Sequence, residues 1–333
     1  MVFSAESLKP LVRPGPNLPA KLPDPHGKKS VLGIEILMLS VSLIWGMNFS
    51  IMKDLYTWFD PLAFAILRFS VAVTTLSVVL KVRGVDLSVE RRDLLPLTGL
   101  GFLSNTAYQI VFVIGLANTK AGNAGLLMAS PPIFAYIAGL LLKRERFSRR
   151  VLTGILLSSA GVVAIVLFGA KEVALGANWK GDGFVLVAAI LWGWYTGSAA
   201  RLIVKYGALR VTYWLMLTGT LLMLPPLFPA LIHQDWHAIP LRGWVSFCYS
   251  TFLSIVYCYL VWSYALQHVG VSRTAIYSNV TPVIALLGGW ILLGERPVMA
   301  QMSGIVLILA GVFLVRSRKP GISLPASEIP APD

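Results

Sequence analysis

The sequence predicts an all-α polytopic membrane protein: ten transmembrane helices arranged as two inverted five-helix repeats. Composition is the first reason. Of 333 residues, 56% are apolar and 13% charged, with a mean hydropathy of +0.73. Soluble domains carry about 25% charged residues. The second reason is distribution. The charges fall in short clusters between apolar runs long enough to cross a bilayer. The third is a duplication. Residues 121–162 and 271–312 align without a gap, 150 residues apart, with twelve identities. These include Pro132/Pro282, Gly139/Gly289, Glu145/Glu295, Arg146/Arg296, Gly154/Gly304 and the run Ala160-Gly161-Val162 against Ala310-Gly311-Val312. Apolar composition alone does not place Pro, Glu-Arg and Ala-Gly-Val at one fixed offset.

In chain order the spans run at about 31–52, 60–80, 95–116, 121–142, 151–169, 183–203, 209–231, 243–266, 274–294 and 299–316. Short turns at Ala117–Lys120 and His268–Gly270 make spans 3 and 4, and spans 8 and 9, antiparallel neighbours. With the N-terminus inside, 21 of the 28 Lys and Arg fall on the inner side and six on the outer, with Arg68 left within a span. The positive-inside rule then places both termini in the cytoplasm. Five spans per repeat is an odd number, so the second repeat crosses the membrane in the opposite sense. Glu145 closes span 4 at the inner face and Glu295 closes span 9 at the outer.

The domain reading follows. Residues 1–30 hold six prolines and several basic residues with no cleavable apolar core, and read as a disordered cytosolic tail. Residues 31–169 form the first repeat, 180–316 the second, and 317–333 a Pro-rich cytosolic tail. The net charge of +13 lies beside membrane spans, not in a basic domain, and so does not indicate nucleic acid. Cys248 and Cys258 are too far apart along one helix to bridge.

Duplication inside a polytopic membrane protein points to a transporter with its site between the halves. A Trp-Gly in the first helix of each half (Trp45-Gly46, Trp192-Gly193), a Pro in each fourth helix and a Glu-Arg closing it complete a pattern. The chain thereby resembles the EamA group of the drug/metabolite transporter superfamily over about residues 35–316. The resemblance implies a basket of ten helices with spans 5 and 10 away from a central cavity. It also implies metabolite transport, mostly outward, with aromatic or neutral amino acids carried by the best-described members.

The candidate substrate-binding residues are Trp45, Asn48, Arg68, Asn105, Tyr108, Trp192, Tyr195, Tyr257, Tyr277 and Asn279. Trp45 and Asn48 share a helix face, and Trp192 and Tyr195 occupy the matching positions of span 6. Asn105, Tyr108 and Phe112 follow at i, i+3 and i+7 in span 3. Mid-span rings beside amide and hydroxyl groups suit one apolar wall with a few polar handles, and equally suit helix packing. Arg68 is the basic residue deep within a span. Such a charge costs about 2.5–3.5 kcal/mol on insertion scales and needs a partner or a wet cavity. Either it faces a substrate carboxylate, or it bonds backbone carbonyls or snorkels past Asp60. Pro132 and Pro282 interrupt paired helices and are the candidate gating residues.

No buried carboxylate of the kind proton pumps use lies deep in a span. His233 and His237 fall in a solvated loop with one acid nearby and do not suggest a metal. No nucleophile–base pair or phosphate loop is present, so the expected function is transport without catalysis, cofactor or metal. The expected partners are a small-molecule substrate and the lipid bilayer of the cell (inner) membrane. The primary reading is export of a small neutral or zwitterionic metabolite, with amino acids foremost. The alternative is uptake or exchange of an anionic metabolite, held by Arg68 and Arg273.

Overall fold

The computed structural model describes residues 28–169, 178–284, 286–287 and 298–317. Within these the chain is helical, with no strand. Nine helices are long and apolar enough to cross a membrane, and they supply spans 1 to 8 and span 10. Span 9 enters through Val271–Ala275, a tighter turn at Ile276–Val280 and helix again from residue 281. Its second half, with Glu295 and Arg296, lies outside the described residues, as do most of both tails.

Local chemistry sets the boundaries. Span 2 (Pro61–Val82) starts at Asp60, whose carboxylate accepts the N–H groups of Leu62 and Ala63 at 2.9 Å each. Proline at the first helical position forfeits no bond there. Gly207 alone joins span 6 (Trp179–Tyr206) to span 7 (Ala208–His233), and Gly270 alone joins span 8 (Leu241–Val269) to span 9. Both have φ of +83°, a region that favours glycine.

Four spans depart from a regular helix, and they do so in repeat-related pairs. Span 3 (Arg91–Ala117) is π-helical over Phe102–Ala107, and span 8 over Tyr249–Tyr257. Shifting 102–107 by the repeat offset of 150 gives 252–257, inside the second segment. Span 4 breaks between Ala121–Leu127 and Pro131–Leu141, and span 9 changes at the matching place, Ile276–Val280. The sequence predicts a proline kink in the middle of each fourth helix. Instead each helix is interrupted just ahead of the proline, and Pro131-Pro132 and Pro282 fall in the first turn of the resumed helix. A proline is tolerated there because the N–H it lacks would have no helical partner anyway.

Spans 5 (Arg149–Gly169) and 10 (Met299–Arg316) pack together through four glycines. A Cβ on Gly154 would stand 2.8 Å from the Gly311 carbonyl, and one on Gly161 2.6 Å from the Gly304 carbonyl. The repeat offset turns Gly154 into Gly304 and Gly161 into Gly311. The two contacts are therefore exchanged by the pseudo-two-fold axis, as an inverted duplication requires. Span 6 seats on span 4 similarly: a Cβ on Gly193 would lie 2.7 Å from the Pro131 carbonyl. These close approaches are van der Waals packing, the main attraction between helices where lipid removes the hydrophobic one.

Candidate functional site

A cavity of about 350 Å³ lies among spans 1, 2, 3, 4, 6, 8 and 9. That is the size of a small-molecule site. It reaches from the middle of the bundle toward the end away from the termini, where Ser50, Gly125, Ile165 and Gln301 line it. Among the described residues, spans 5 and 10 touch it only through Ile165, Val166 and Gln301, so the basket implied by the resemblance is kept except at this rim. Both helix breaks border the cavity, through Met128 and Pro131 on one side and Ser278, Thr281 and Pro282 on the other.

One wall is aromatic. The Trp45 and Trp192 rings meet edge to face at 5.6 Å, and Trp262 closes the group at 5.3 and 5.5 Å. Tyr108 lies 5.0 Å from Trp192 and stacks on Phe112 at 5.5 Å. Edge-to-face and offset pairs hold such rings in fixed positions. The Trp45 indole N–H donates to the Ser254 carbonyl at 3.0 Å, the group freed in the π-helical stretch of span 8.

The opposite wall carries a charge. Arg68 is 2% exposed, and its guanidinium borders the cavity. It donates to Gln109 Oε1 at 2.6 Å and Ser250 Oγ at 3.1 Å, touches Met52 Sδ at 3.6 Å, and lies 4.8 Å over the Phe64 ring. Gln109 in turn donates to the Tyr259 hydroxyl at 3.1 Å. Gln109 and Tyr259 are 150 residues apart, so they are repeat equivalents touching each other. Two equivalent residues in contact mark the pseudo-two-fold axis, and it passes beside the cavity.

Of the ten residues expected from the sequence, Trp45, Asn48, Arg68, Tyr108 and Trp192 stand on the cavity wall. The structure does not bring the other five there. Asn105 donates to the Leu215 carbonyl at 2.7 Å and ties span 3 to span 7. The regular spacing predicts Asn105 beside Tyr108 and Phe112. The π-helical turns, with one more residue per turn, rotate it off that face. Tyr195 is buried behind Trp192, at 5.0 Å. Tyr257 bonds Ser40 Oγ at 2.8 Å, turned toward span 1 by the π-helical stretch it ends. Asn279 bonds Ser158 Oγ at 2.9 Å, which ties the break of span 9 to span 5. Tyr277 sits at the termini end with Glu35, Arg273 and Arg316. Pro132 is buried beside Pro131, and Pro282 is on the wall.

Sequence reading missed Gln109, Tyr259, Phe49 and Met52. Gln109 and Tyr259 carried a usable signal, since the repeat offset pairs them. The other two look like ordinary apolar span residues.

The termini end of the bundle is closed. The Glu145 carboxylate of the first repeat accepts the Ser272 N–H of the second at 3.0 Å. Arg316 pairs with Glu35, and the Ser42 hydroxyl donates to the Tyr277 carbonyl at 2.9 Å. Among the described residues, no group of three or more His, Cys, Asp or Glu gathers as a metal site would need.

Known proteins share this plan. The model of the EamA-like transporter family matches twice, over residues 32–167 and 179–317. An "Uncharacterized transporter" of Archaeoglobus fulgidus is 29% identical over 282 residues, covering 84% of this chain and 97% of that protein. A "Probable terminal-alkyne amino-acid exporter" of Streptantibioticus cattleyicolor is 29% identical over 252 residues, covering 75% and 83%. A "Probable amino-acid metabolite efflux pump" of Salmonella typhimurium is 28% identical over 292 residues, covering 84% and 93%. Two family matches laid end to end agree with the duplication, and this multi-pass membrane protein belongs to the EamA-like transporter family.

Proposed function

We propose that the chain exports small neutral or zwitterionic metabolites, amino acids foremost, across the cell (inner) membrane by alternating access. The observation that carries this is the position of the cavity. It lies where repeat equivalents meet, Gln109 against Tyr259 and Trp45 against Trp192. A transporter that rocks two inverted repeats keeps its site near their axis, often at interrupted helices. The repeats 31–169 and 180–316 are then the moving units, and the breaks at Pro132 and Pro282 the gates. Amino acids are favoured by the names of two relatives, the "Probable terminal-alkyne amino-acid exporter" and the "Probable amino-acid metabolite efflux pump". The ring-lined wall accepts their side chains. With both termini cytoplasmic, as the 21-to-6 distribution of Lys and Arg argues, the cavity faces outward and the Glu145–Ser272 contact closes the inner side.

Arg68 gives some weight to the rival reading, uptake or exchange of an anionic metabolite. Its suggested second cation, Arg273, sits in the Glu35–Arg316 group instead, so no two-arginine anion site forms on the cavity wall.

The test is counterflow in proteoliposomes. Vesicles loaded with unlabelled aromatic or branched amino acids should accumulate labelled substrate only when they contain the protein. Counterflow with dicarboxylates or phosphate esters, and none with amino acids, would replace this reading with the rival. Reporter fusions after Lys319 should read cytoplasmic and those at Asn178–Lys180 periplasmic. The reverse pattern would invert the direction argued here.

A further inference from the structure

Arg68 is buried in the wall of the cavity and has no counter-ion among the described residues. Its partners Gln109, Ser250, Met52 and Phe64 are all neutral. No Asp or Glu is among the described residues that line the cavity. The Arg68 Nε has no hydrogen-bond partner. Neutral acceptors satisfy some of the five guanidinium donors, but they leave the charge itself uncompensated in a low-dielectric site. A ligand carboxylate supplies both the missing acceptor and the missing charge, through short, charge-assisted bonds that a planar guanidinium can make in pairs.

The positive end of a zwitterion finds no such reception. Around it stand the rings of Trp45, Tyr108 and Trp192 and neutral groups only, among them the hydroxyls of Ser278 and Thr281 and Asn48 Oδ1, which no donor occupies. Asn48 and Arg68 are close, since both touch Met52 Sδ, at 3.1 and 3.6 Å. An α-amino group beside a carboxylate on Arg68 therefore gains only neutral hydrogen bonds and some ring contact, and is repelled by the guanidinium. The electrostatics of the wall ask for one negative charge and leave the ammonium nearly indifferent.

We propose that the cavity selects its substrate by the carboxylate, which binds Arg68, and that the amino group is dispensable. The substrate class is then small monocarboxylates with an apolar or aromatic body, of which amino acids are one subset. Amines and amides of the same shape are excluded. The proposal rests on the reading that this cavity is the transport site.

Four ligands of one shape test it: 3-phenylpropionate, L-phenylalanine, 3-phenylpropanamide and 2-phenylethylamine. Their affinities for the purified full-length protein are measured by calorimetry. The two acids should bind within about tenfold of each other, and the amide and amine roughly 30-fold or more weaker, as expected when a hydrogen-bonded charge loses its partner. Arg68→Gln should bring acid and amide within about threefold, and Arg68→Lys should recover only part of the preference. Gln109→Glu guards against a misfolded Arg68 variant. It places a carboxylate where Gln109 Oε1 now meets Arg68, so it should keep the fold and abolish the preference for acids. An amine that binds as tightly as the acid, or a preference for acids that survives Gln109→Glu, overturns the assignment of Arg68. Phenylalanine that binds while phenylpropionate does not overturns the dispensable amino group. Both outcomes leave amino-acid export standing, because counterflow of phenylalanine tests that separately. If none of the four binds to folded protein, the monocarboxylate class falls, and counterflow with other amino acids decides whether export falls with it.

Discussion

The two repeats agree where the molecule is scaffold and differ where it meets the cavity. Their twelve identities fall in spans 4 and 5 against 9 and 10, and there the contacts are exchanged by symmetry, Gly154 on Gly311 and Gly161 on Gly304. Spans 2 and 3 against 7 and 8 share a frame, including the π-helical stretches, but not the chemistry. The first repeat brings Arg68, Asn48 and Gln109. The second puts Tyr195 where Asn48 stands, Tyr259 where Gln109 stands, and the uncharged stretch Leu215–Thr218 opposite Arg68. The physical reason is the ligand. Helices that pack across a two-fold axis gain from being alike, but a small metabolite has a polar and an apolar end and no two-fold symmetry. A cavity on the axis must break the symmetry to hold it one way round.

A large effect should come from breaking the symmetric part. Gly161→Leu and Gly304→Leu each push a side chain into a backbone carbonyl less than 3 Å from the new Cβ. Overpacking of this kind costs about 1–3 kcal/mol, more where backbone must move. These two are contact partners, and their repeat equivalents are Gly311 and Gly154, so Gly161→Leu should lower the melting temperature in detergent about as much as Gly311→Leu, and Gly304→Leu about as much as Gly154→Leu. Gly183→Leu, where a Cβ meets nothing within 4 Å, should leave it unchanged. Unequal effects within either repeat-related pair, Gly161 with Gly311 or Gly154 with Gly304, would show that the packing is less symmetric than the contacts suggest.

Next comes the paired tryptophan position, equivalent in sequence but not in burial. Trp192 is 3% exposed and meets five rings, while Trp45 is half-buried on the cavity wall. Trp192→Ala should cost about 3–5 kcal/mol of stability, as truncation of a buried ring does. Trp45→Ala should lose less stability and proportionally more ligand affinity. Melting temperature and affinity measured on both variants separate the roles. The same ratio of the two losses in each would make the tryptophans interchangeable.

A smaller contrast is available at the axis itself. Tyr259→Phe removes one neutral hydrogen bond, worth about 0.5–1.5 kcal/mol. Gln109→Leu removes that bond and also the acceptor on Arg68, a charged bond worth about 1.5–3 kcal/mol. Chemical or thermal denaturation should rank Gln109→Leu below Tyr259→Phe. Equal stabilities would mean that Arg68 finds another acceptor.

Much of this plan is legible in the sequence, and the limits have physical causes. The duplication, the spans and the membrane class follow from hydropathy and a fixed offset, which depend on no side-chain geometry. Trp45, Asn48, Tyr108 and Trp192 reach the cavity because their helices are regular where they stand. Asn105 and Tyr257 are misplaced by a reading at 3.6 residues per turn, since each lies in a π-helical stretch that no local residue preference announces. Tyr277 and Asn279 belong to a helix that breaks, so a single face does not continue through them. Gln109 was passed over because a lone Gln in a span is unremarkable until its repeat partner and Arg68 are seen beside it.

The smallest expected effect concerns the loop between spans 2 and 3, at the termini end of the bundle, which ties the first repeat to the second. Asp86 accepts the N–H and hydroxyl of Ser88, at 2.9 Å each, and lies 3.1 Å from Arg210 of span 7. Glu90 lies 2.7 Å from Lys205 of span 6 and 2.5 Å from Arg92. Hydrogen bonds to the charged form, from Ser88 for Asp86 and from Lys205 for Glu90, hold both carboxyls below the usual range. A carboxyl whose folded pKa is depressed adds stability above its unfolded value, about 4, and loses it as the pH falls through the folded value. Both groups are exposed, so water and salt screen them and the gain is slight. The melting temperature should therefore fall a little on acidification below about pH 4. Asp86→Asn should reduce that slope while lowering stability slightly at neutral pH. In high salt the difference between the variant and the parent should shrink, because the part due to Arg210 is Coulombic and the part due to Ser88 is not. A difference that salt leaves intact would assign the whole effect to the Ser88 turn, and Asp86 would then contribute no electrostatic link between the repeats.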